Sequence, residues 1–420
     1  MAEIIPFRGL RYNREKVKNI NEIFAPPYDI ISAKQQGELY KQHPFNIVRL
    51  ILGKQSKNDN RRNNRYTRAA NLFKEWINTG ILVKDANPSI YIYTQDYTFE
   101  GIVKKRIGFL ARMKFEKGKE CLPHEHTLAK PKQDRVKLMR AVQANLSPIF
   151  SFYIDKKNKI EIILKPYTKR KPLISFRDKE KIRHRFWQVD DKKTIEKIRK
   201  LMQKKQTFIA DGHHRYEVSR SFYQEMSRKK GSNGEFDSVM IYFTGFNDQN
   251  LSVMPTHRLV KAIADIQSKI DSLGDYFKVT VAKDLKEMIF SQRRLNGFSL
   301  GMCYKNKFYV LEMKDARMLD RLMRKSPAQW RKLDVAMLNS VVFEHVFKLD
   351  EKQKEEKISY TRDPIYAVEC IKNKKALVAF FPNVTKAEQV RKIALSGNRM
   401  PQKSTYFYPK PLTGLVINKF

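Results

Sequence analysis

The sequence predicts a mixed α/β fold of the α+β type, and three patterns support this prediction. Residues 89–99 and 103–115 alternate in the two-residue period of β-strands, and the Glu100-Gly101 pair between them suits a hairpin turn. Apolar side chains recur at helical spacing over residues 192–205. Residues 238–246 are almost wholly apolar, which is typical of a buried strand. Helices and strands that follow one another without a regular alternation indicate an α+β protein.

The N-terminal part of the chain is predicted to add two helices and one strand. Ser32 is a suitable N-cap for a helix over residues 32–42. A second helix begins near Tyr66, and Gly80 stops it. The apolar run at residues 45–52 is predicted to be a strand.

A proline pair precedes these elements. Pro26 and Pro27 forbid a helix and are expected to hold Tyr28 and Asp29 in an extended loop. From its residues alone, this loop is predicted to be a connector.

The remaining elements follow from the same two periodicities. Helices are predicted over residues 135–144, 262–273, 284–292, 333–347 and 387–395, and strands over residues 149–154, 160–164, 207–210, 277–281, 299–304, 307–313 and 376–381. His345 lies among apolar neighbours of the long helix and is predicted to be packed there and not catalytic.

No internal repeat or low-complexity linker divides the chain, so we expect its parts to pack as one compact unit. Within it we distinguish three regions: an N-terminal α/β region over residues 1–165, a core over residues 166–261, and a C-terminal α+β region over residues 262–420.

The charge of the chain predicts anionic partners. Lysine and arginine outnumber aspartate and glutamate by 84 to 44, a net charge of +40, which gives a positive field over much of the surface. Nucleic acid is the generic partner of such a field. The basic residues are spread along the whole chain, however, and neither a helix-turn-helix signature nor an aromatic RNA-stacking motif is evident. The charge is therefore weak evidence for DNA or RNA, although it leaves nucleic acid open as a partner.

The cysteines and the apolar segments indicate the compartment. Cys121, Cys303 and Cys370 lie far apart, without the spacing of a disulfide framework or a structural zinc site. The N-terminus does not have the pattern of a signal peptide, and nowhere do 18 apolar residues run together. We expect a cytoplasmic protein that does not engage a membrane.

The stretch QTFIADGHHRYEVSRSF, residues 206–222, is the strongest candidate for a functional site. A short apolar strand breaks at Asp211-Gly212, and two histidines and Arg215 then open a helix. A glycine lets a ligand approach the backbone, and the N–H groups of a helix N-terminus attract phosphate. The alternative is that Asp211 merely caps the helix. The crowding of costly polar groups favours the functional interpretation.

A second candidate is the polar loop that contains His124, Glu125 and Thr127. Its two histidines, in the pattern His-x-His, could grip a metal, but no third ligand is evident. Glu125 is the nearest carboxylate that could act as a base among the following cations, which include Lys130 and Arg135. The alternative is a basic surface loop that leads into a helix.

Two further segments carry phosphate-binding side chains. His257 and Arg258 form a second His-Arg pair, and Lys403, Ser404 and Lys410 lie in a proline-bounded tail. The alternative for the tail is a rigid edge strand, and the residues alone do not decide between the two.

Several motifs are missing from the sequence. It contains no GxxxxGK[ST], no GxGxxG after a strand, no protein-kinase motif set and no GxSxG. A standard nucleotide cradle and acyl transfer through a nucleophile elbow are thus not indicated. The remaining histidines, basic side chains and carboxylates are suited to holding phosphate oxygens, with Mg²⁺ on a carboxylate and a base for a hydroxyl proton.

These residues resemble known families. The strand, the DGHHR turn and the helix resemble the phosphate-binding turn of the ParB and sulfiredoxin-like fold, in the version found in free-serine kinases. The chain is also similar, from Pro6 to Ile417, to a family long catalogued as a domain of unknown function, some members of which are pyrophosphate-dependent serine kinases. That similarity rests on the segments PFRGLRYN, APPYDIIS, FNIVRLIL, LPHEHTLAKPKQDR, ANLSPIF, MPTHRL and MPQKSTYFYPKPLTGLVI.

The resemblance implies transfer of a phosphoryl group from inorganic pyrophosphate to the hydroxyl of free L-serine, with Mg²⁺ as cofactor and O-phosphoserine and phosphate as products. The residues expected to be catalytic are Asp211, His213, Glu125 and Glu217, and Asp211 is also the candidate metal ligand. Those expected to bind phosphate are Gly212, His214, Arg215, His257, Arg258, Lys403, Ser404 and Lys410. Those expected to bind substrate are His124, Thr127, Lys130, Arg135, Tyr28 and Asp29.

Two other functions remain open at this point. A ParB-like nucleic-acid-binding protein would share the turn and the positive charge, and its affinity would fall steeply with salt. A small-molecule kinase that takes its phosphoryl group from ATP or ADP would carry out the same transfer with a different donor.

Overall fold

The computed structural model describes residues 2–115, 121–125, 127, 129–231, 234–247, 250–324, 327–401 and 403–420. They fall into two compact units. The first comprises Met1–Pro123, Thr127–Ser252 and Pro409–Phe420, and the second comprises His124–His126 and Val253–Tyr408. The sequence led us to expect one unit with three regions, and the boundaries drawn at residues 165 and 261 stay a prediction. Among the described residues, no helix has the length and apolarity needed to cross a membrane.

A nine-stranded mixed sheet organises the first unit. The strands of the unit are β1 (Ile4–Ile5), β2 (Leu10–Tyr12), β3 (Leu82–Lys84), β4 (Ile90–Phe99), β5 (Ile102–Lys114), β6 (Cys121–Leu122), β7 (Ala144–Asn145), β8 (Ile149–Tyr153), β9 (Ile174–Arg177), β10 (Arg183–Val189), β11 (Thr207–Asp211) and β12 (Ser238–Gly245), and a final strand spans Asn418–Lys419. The order in the large sheet is β6-β11-β8-β12-β5-β4-β10-β9, and β1 pairs with β5. The pairs β11 with β6 and β12 with β8 are parallel, whereas the other pairs are antiparallel.

The helices of the first unit are α1 (Ala33–Gln42), α2 (Val48–Ile51), α3 (Arg65–Asn78), α4 (Ala129–Val142), α5 (Lys159–Leu164), α6 (Lys192–Met202) and α7 (His213–Lys230), with short 3₁₀ turns at Ile20–Glu22, Tyr28–Ile30, Lys165–Lys169 and Glu235–Asp237. All eight residues of β12 are buried, as its apolar sequence predicts for a central strand. Buried side chains from α5, α6 and α7 pack with the sheet in one apolar core. That core fixes β11 and therefore the position where α7 begins.

The second unit is built on a six-stranded antiparallel sheet. The strands of the unit are β13 (Ser252–Met254, which starts on the last residue of the first unit), β14 (His257–Val260), β15 (Phe277–Ala282), β16 (Ser299–Tyr304), β17 (Lys307–Met313), β18 (Ile358–Thr361), β19 (Val378–Pro382) and β20 (Tyr406–Tyr408), of which β13 and β20 pair with each other outside the large sheet. Its helices are α8 (Ile266–Asp271), α9 (Leu273–Tyr276), α10 (Leu285–Arg294), α11 (Arg317–Leu322), α12 (Ala328–Arg331), α13 (Asp334–Met337), α14 (Glu351–Lys357), α15 (Pro364–Lys372) and α16 (Ala387–Leu395), and Leu338–Val346 is a π-helix. The sheet order is β15-β17-β16-β19-β14-β18.

The structure confirms the mixed α/β fold class and most of the elements with a clear period. The hairpin forms as expected, with Glu100 and Gly101 at φ 49° and 79°, the positive values that a tight two-residue turn needs. The Ser32 hydroxyl caps α1 by accepting a hydrogen bond from the Gln35 N–H. In the same way, the Asp191 carboxylate caps α6.

Two short apolar runs were predicted as strands but are helices. Residues 45–52 contain α2, which the Asn46 side chain helps to start by accepting a hydrogen bond from the Val48 N–H at 2.9 Å. Residues 160–164 belong to α5, with Ile160 and Leu164 buried on one side. A short apolar run fits either element by periodicity, so the surrounding core decides between them.

Two local predictions were also wrong. Tyr28 and Asp29 do not lie in an extended loop, because they form a 3₁₀ turn directly after Pro27. His345 is exposed instead of packed, and its Nε2 lies 2.8 Å from the Tyr276 hydroxyl. The π-helical winding of this segment shifts its side chains from the faces that a regular α-helix would give.

The C-terminal segment of the first unit is held by a buried arginine. Arg106, on β5, is fully buried, and its Nη2 donates hydrogen bonds to the Pro409 carbonyl and to the Gln95 side-chain oxygen. The Gln95 amide in turn donates to the Lys410 carbonyl at 3.2 Å. The Arg106 guanidinium carbon also lies 4.6 Å from the centroid of the Phe150 ring, where the face of the ring attracts a cation.

Backbone hydrogen bonds continue this attachment beyond Lys410. The Thr413 N–H donates to the Ala25 carbonyl at 2.8 Å, and the Ile417 N–H donates to the Leu10 carbonyl at 2.9 Å. Because Arg106 and Gln95 hold the chain at residues 409 and 410, they fix the backbone from which the Lys410 side chain extends.

We expect Arg106→Met to release this segment locally. The change leaves two buried acceptors without their donor, but it also removes a buried charge that has no carboxylate partner among the described residues, and these effects on global stability oppose each other. The sensitive measurement is hydrogen exchange, which we expect to be at least about tenfold faster at the Thr413 and Ile417 amides. Lys105→Met, at the exposed neighbouring position, is the control. Unchanged exchange in Arg106→Met would contradict the anchoring role.

Candidate functional site

The N-terminus of α7 is formed by a change of direction at Gly212. Strand β11 ends at Asp211, Gly212 adopts the left-handed conformation with φ 96°, and an 18-residue helix starts at His213. The first N–H groups of a helix have no partner within the helix, and they carry the positive end of its dipole. A strand, a glycine turn and a long helix thus produce the anion-attracting geometry that the sequence predicts.

The carboxylate of Asp211 is held by two cations. One oxygen lies 2.6 Å from Nη2 of Arg215, one helical turn further on, and the other lies 2.5 Å from Nζ of Lys410. Arg215 also donates a hydrogen bond to the Pro148 carbonyl. The N-cap residue of α7 is Gly212, and Asp211 is the residue before it.

Lys410 joins this group to a third segment of the chain. Its ammonium lies 2.9 Å from Asp29 as well as 2.5 Å from Asp211, and its side chain is only 6% exposed. Burying a lysine this deeply is costly unless anions compensate its charge, and the two carboxylates do so. The sequence Asp29, Lys410, Asp211, Arg215 is therefore a continuous chain of ion pairs with equal numbers of positive and negative groups. We call it the four-residue charge network.

Tyr28 and Arg135 lie beside the charge network. The Arg135 guanidinium is 3.9 Å from the centroid of the Tyr28 ring and donates from Nε to Asp134 at 2.7 Å. Burial raises the pKa of Tyr28 to about 12, although Arg135 and Arg215 act to lower it. The phenol therefore stays protonated at neutral pH and can donate a hydrogen bond. A cavity of about 50 Å³ is lined by Tyr28, Arg135 and Arg215 and is otherwise largely apolar.

Glu217 lies on α7 one turn after the two histidines. It accepts hydrogen bonds from the Thr127 hydroxyl at 2.7 Å and from Lys132 at 2.9 Å. His213 is buried, and His214 is half-buried. Residues three and four positions apart share a helix face, so Glu217 lies on the same side of α7 as His214 and His213.

The other predicted residues form a cluster within the second unit. The Glu125 carboxylate accepts a hydrogen bond from the Lys403 N–H at 2.8 Å, and the Met400 N–H donates to the His124 carbonyl at 2.6 Å. Nε2 of His124 lies 2.9 Å from the Thr405 hydroxyl. These bonds join the His124-Glu125 segment to the tail.

His257 and Arg258 are buried on β14 beside this cluster. The Arg258 guanidinium donates to the carbonyls of Thr256 and Lys403, the latter at 3.2 Å. Burial lowers the pKa of Arg258 to about 10 and that of His257 to about 4, and Arg258 itself also disfavours the charged form of His257. His257 is therefore neutral at physiological pH.

The predicted site residues thus occupy two places. The first unit contains Tyr28, Asp29, Thr127, Arg135, Asp211, Gly212, His213, His214, Arg215, Glu217 and Lys410, and the second contains His124, Glu125, His257, Arg258, Lys403 and Ser404. Ser404 is buried, and its hydroxyl donates to the Pro401 carbonyl at 2.6 Å. Lys130 belongs to α4, but its side chain lies outside the described residues, as does His126. The assigned roles stay predictions.

Sequence reasoning missed the residues that support the charge network. Arg106 and Gln95 anchor the segment that carries Lys410, and Asp134 accepts hydrogen bonds from both Arg135 and Tyr66. The sequence pattern carries no signal for Arg106, because the two-residue period places it on the strand face of Lys104 and Arg112, opposite most of the apolar side chains.

Carboxylates near Lys410 are the candidate ligands for Mg²⁺. Within the described ranges, no three His, Cys, Asp or Glu side chains gather in a way that could hold a metal ion. Mg²⁺ is often held by one or two carboxylates together with phosphate oxygens, and Asp29 and Asp211, both in contact with the same ammonium, are such a pair. The donor set fits Mg²⁺, and the ion itself stays a prediction.

A comparison with known protein families identifies the family of this chain. The chain matches the family described as "Protein of unknown function (DUF1015)" over residues 4–336, and it belongs to this family. This agrees with the resemblance seen in the sequence to a family long catalogued without a function. A comparison with curated proteins gave no match.

Several solved structures are similar at low identity. A conserved hypothetical protein from Pyrococcus furiosus is 13% identical, with coverage of 71% of this chain and 91% of that one and a TM-score of 0.38. A free serine kinase in complex with AMP is 12% identical, with coverage of 69% and 83% and a TM-score of 0.35. SbnI with a C-terminal truncation, from Staphylococcus aureus, is 11% identical, with coverage of 73% and 86% and a TM-score of 0.38. Scores of this size carry no argument about function.

Gly212→Ala tests the turn before α7. An alanine here would be strained by the left-handed backbone conformation, and its Cβ would lie 3.0 Å from the Arg215 guanidinium carbon. The strain and the close contact add together. Gly101, in the hairpin turn of the same unit, has φ 79° with nothing within 4 Å, and Gly101→Ala therefore gives the strain alone. In urea unfolding we expect Gly212→Ala to lose about 1 kcal/mol more than Gly101→Ala. Equal losses would show that Arg215 does not constrain the turn.

His257 should make stability depend on pH. Its pKa is about 4 when folded, against 6.5 as the ordinary value, so the unfolded chain binds more protons between these pH values. Stability therefore falls as the pH decreases from about 6.5 to 4, by about 3 kcal/mol for this group.

The measurement is the free energy of unfolding of the wild type and of His257→Gln at pH 4.5 and 7. The difference between the two proteins should change with pH in that direction. Other groups cancel in this comparison, including Asp334, whose pKa burial raises to about 6. His345→Gln, at an exposed position of the same unit, is the control, and a pH-independent difference for His257→Gln would refute the assignment.

Proposed function

We propose that this protein is a kinase that transfers a phosphoryl group from inorganic pyrophosphate to the hydroxyl of free L-serine. The observation that carries the proposal is the charge network at the start of α7, in which Lys410 and Arg215 hold Asp211 immediately before Gly212. The resemblance of the DGHHR turn and of the full-length motifs to pyrophosphate-dependent serine kinases supplies the reaction.

The donor phosphates would lie at the N-terminus of α7. Backbone N–H groups after Gly212 and the side chains of His214, Arg215 and Lys410 can donate hydrogen bonds to phosphate oxygens. Pyrophosphate has no base or ribose to recognise, so a site built from a helix end and cations is sufficient for it. The missing nucleotide-binding motifs agree with such a donor.

Mg²⁺ would be held by Asp211, with Asp29 as the second carboxylate, and when bound it neutralises negative charge on the donor. In this structure these carboxylates contact Lys410 and Arg215. A carboxylate that no longer contacts Lys410 leaves the ammonium able to donate to a phosphate oxygen. When the carboxylates hold Mg²⁺, Lys410 and Arg215 can therefore bind the phosphate oxygens of the donor.

The acceptor would lie beside Tyr28 and Arg135. The Arg135 guanidinium is already paired with Asp134 but keeps N–H groups that can donate to a carboxylate, and the protonated Tyr28 hydroxyl can also donate a hydrogen bond. The adjoining cavity of about 50 Å³ leaves room only for a small molecule. The candidate bases are Asp211, Glu125 and Glu217, and the base must come within about 3 Å of the serine hydroxyl, directly or through one water.

A donor-by-acceptor screen of the purified chain tests the proposal. Pyrophosphate, ATP, ADP and polyphosphate are each combined with L-serine, L-threonine and a small alcohol, with Mg²⁺, and phosphorylated product is detected by mass spectrometry. We expect O-phosphoserine from pyrophosphate and L-serine. Product from ATP or ADP alone would replace the donor, and no product from any pair would refute the kinase function.

Two variants place the reaction at α7. We expect Lys410→Met to lower kcat/KM by about a hundredfold or more, because it removes a cation from the donor site. Glu217→Gln should lower kcat by about 10²–10⁴-fold if it is the base. Lys419→Met, an exposed lysine in the same C-terminal segment, is the matched control, and thermal unfolding verifies that each variant is folded. Full activity in Lys410→Met would place the donor site elsewhere.

A further inference from the structure

The second unit contains a cavity of about 360 Å³. Arg258 lines it, and the other predicted site residues do not. Its walls come from the π-helix Leu338–Val346, from α14 and β18, and from Trp330 and Arg258. Small-molecule sites commonly begin at volumes of roughly 300 Å³. π-Helical segments are rare, and those that do occur are often found at functional sites.

One part of the wall is apolar and aromatic. Phe343 of the π-helix, Tyr360 of β18 and Trp330 line the cavity together with Val335 and Ile358. Aromatic rings offer a large contact area to an apolar group, and Tyr and Trp add a polar atom at the edge. The cavity is therefore suited to a ligand with an apolar portion.

The most deeply buried cation of α14 is already compensated. Lys354 lies 2.7 Å from Glu344 and 2.6 Å from Glu351, and its side chain is 7% exposed. Burial acts to lower the pKa of Lys354, but these two carboxylates raise it overall. Lys354 and its partners thus form a closed group that stabilises the wall and has little need of a ligand.

Two other donors on the wall have no carboxylate in ion-pair contact among the described residues. Arg258 is buried and its guanidinium donates to two backbone carbonyls, and the nearby charge of Glu125 offsets only part of the cost of its burial, which lowers its pKa overall. The Trp330 Nε1–H is also buried, and none of the described residues accepts a hydrogen bond from it. Leaving a buried donor or charge in this state is costly, and a carboxylate in the cavity would satisfy both.

The opposite charge is present at the same cavity. Glu355 lines it from an exposed position of α14, and Glu344 and Glu351 add two further carboxylates. Against them stand Lys354 and Arg258. A ligand that is only anionic would meet three carboxylates, whereas a zwitterion can place each of its charges against an opposite one.

We propose that this cavity binds an α-amino acid with an apolar or aromatic side chain. The carboxylate of the ligand accepts hydrogen bonds from Arg258 and the Trp330 Nε1–H. Its ammonium group faces Glu355, and its side chain packs against Phe343 and Tyr360. This site is independent of the proposed phosphoryl transfer, and L-serine, which has no apolar side chain, is not its ligand.

Isothermal titration calorimetry of the full chain, without pyrophosphate or Mg²⁺, tests the proposal. We expect saturable binding of L-phenylalanine or L-leucine, and at least about tenfold weaker binding of 3-phenylpropionate, which lacks the ammonium group, and of phenethylamine, which lacks the carboxylate. L-serine, whose proposed site lies in the first unit, should not compete with L-phenylalanine for this cavity. Absence of saturable binding by every apolar amino acid at millimolar concentration would overturn the proposal.

Two variants locate the binding. Trp330→Phe keeps an aromatic ring but removes the N–H, and Glu355→Gln removes one exposed charge, so we expect each to weaken binding about tenfold. Glu356→Gln, at the exposed neighbouring position that does not line the cavity, should bind like the wild type. Because Glu355 is exposed, its variant is expected to fold. Wild-type affinity in both Trp330→Phe and Glu355→Gln would refute the site.

Discussion

The first unit depends on one buried ammonium group. Lys410 lies between Asp29 and Asp211, and its burial is possible only because both carboxylates are present. The three residues come from the proline-rich N-terminal turn, from the end of a central strand and from the C-terminal segment. The ammonium group therefore adds an ion-pair link between three segments, beside the backbone hydrogen bonds that attach the C-terminal segment.

This arrangement has a requirement elsewhere in the sheet. The C-terminal segment from Pro409 onward must lie at a fixed position beside β11. The fully buried Arg106 fixes that position through its hydrogen bonds to the Pro409 carbonyl and to Gln95. Aromatic rings around Arg106 replace part of the hydration that its charge loses on burial. The polar interior of this unit thus has two linked parts. Arg106 and Gln95 position the C-terminal segment, and the four-residue charge network contains the lysine of that segment.

The overall charge of +40 is not concentrated in the four-residue charge network. There, two cations face two carboxylates, so the charges of the network balance one another. In the second unit the balance differs, because Arg258 is buried among carbonyls and His257 is kept neutral. The net charge of the chain describes its long-range field, whereas the local partners of each cation decide what it can bind.

The sequence by itself determined the elements whose pattern is long or strongly marked. The hairpin around Glu100-Gly101, the amphipathic α6 and the buried β12 follow from their periodicity and turn residues, and Gly212 marks the start of α7. The family resemblance, expected from Pro6 to Ile417, was also readable, and the family match confirms it as far as residue 336.

Tertiary structure alone decided the rest. Short apolar runs such as residues 45–52 became helical because burial of an apolar face is possible in either conformation, and the neighbouring core selects one. The partners of Asp211 and the role of Arg106 could not be read from the sequence, because an ion pair is set by distance in space and these residues are far apart along the chain. A charged side chain in a sequence shows only that a partner is required when it is buried, and the fold determines which partner it meets.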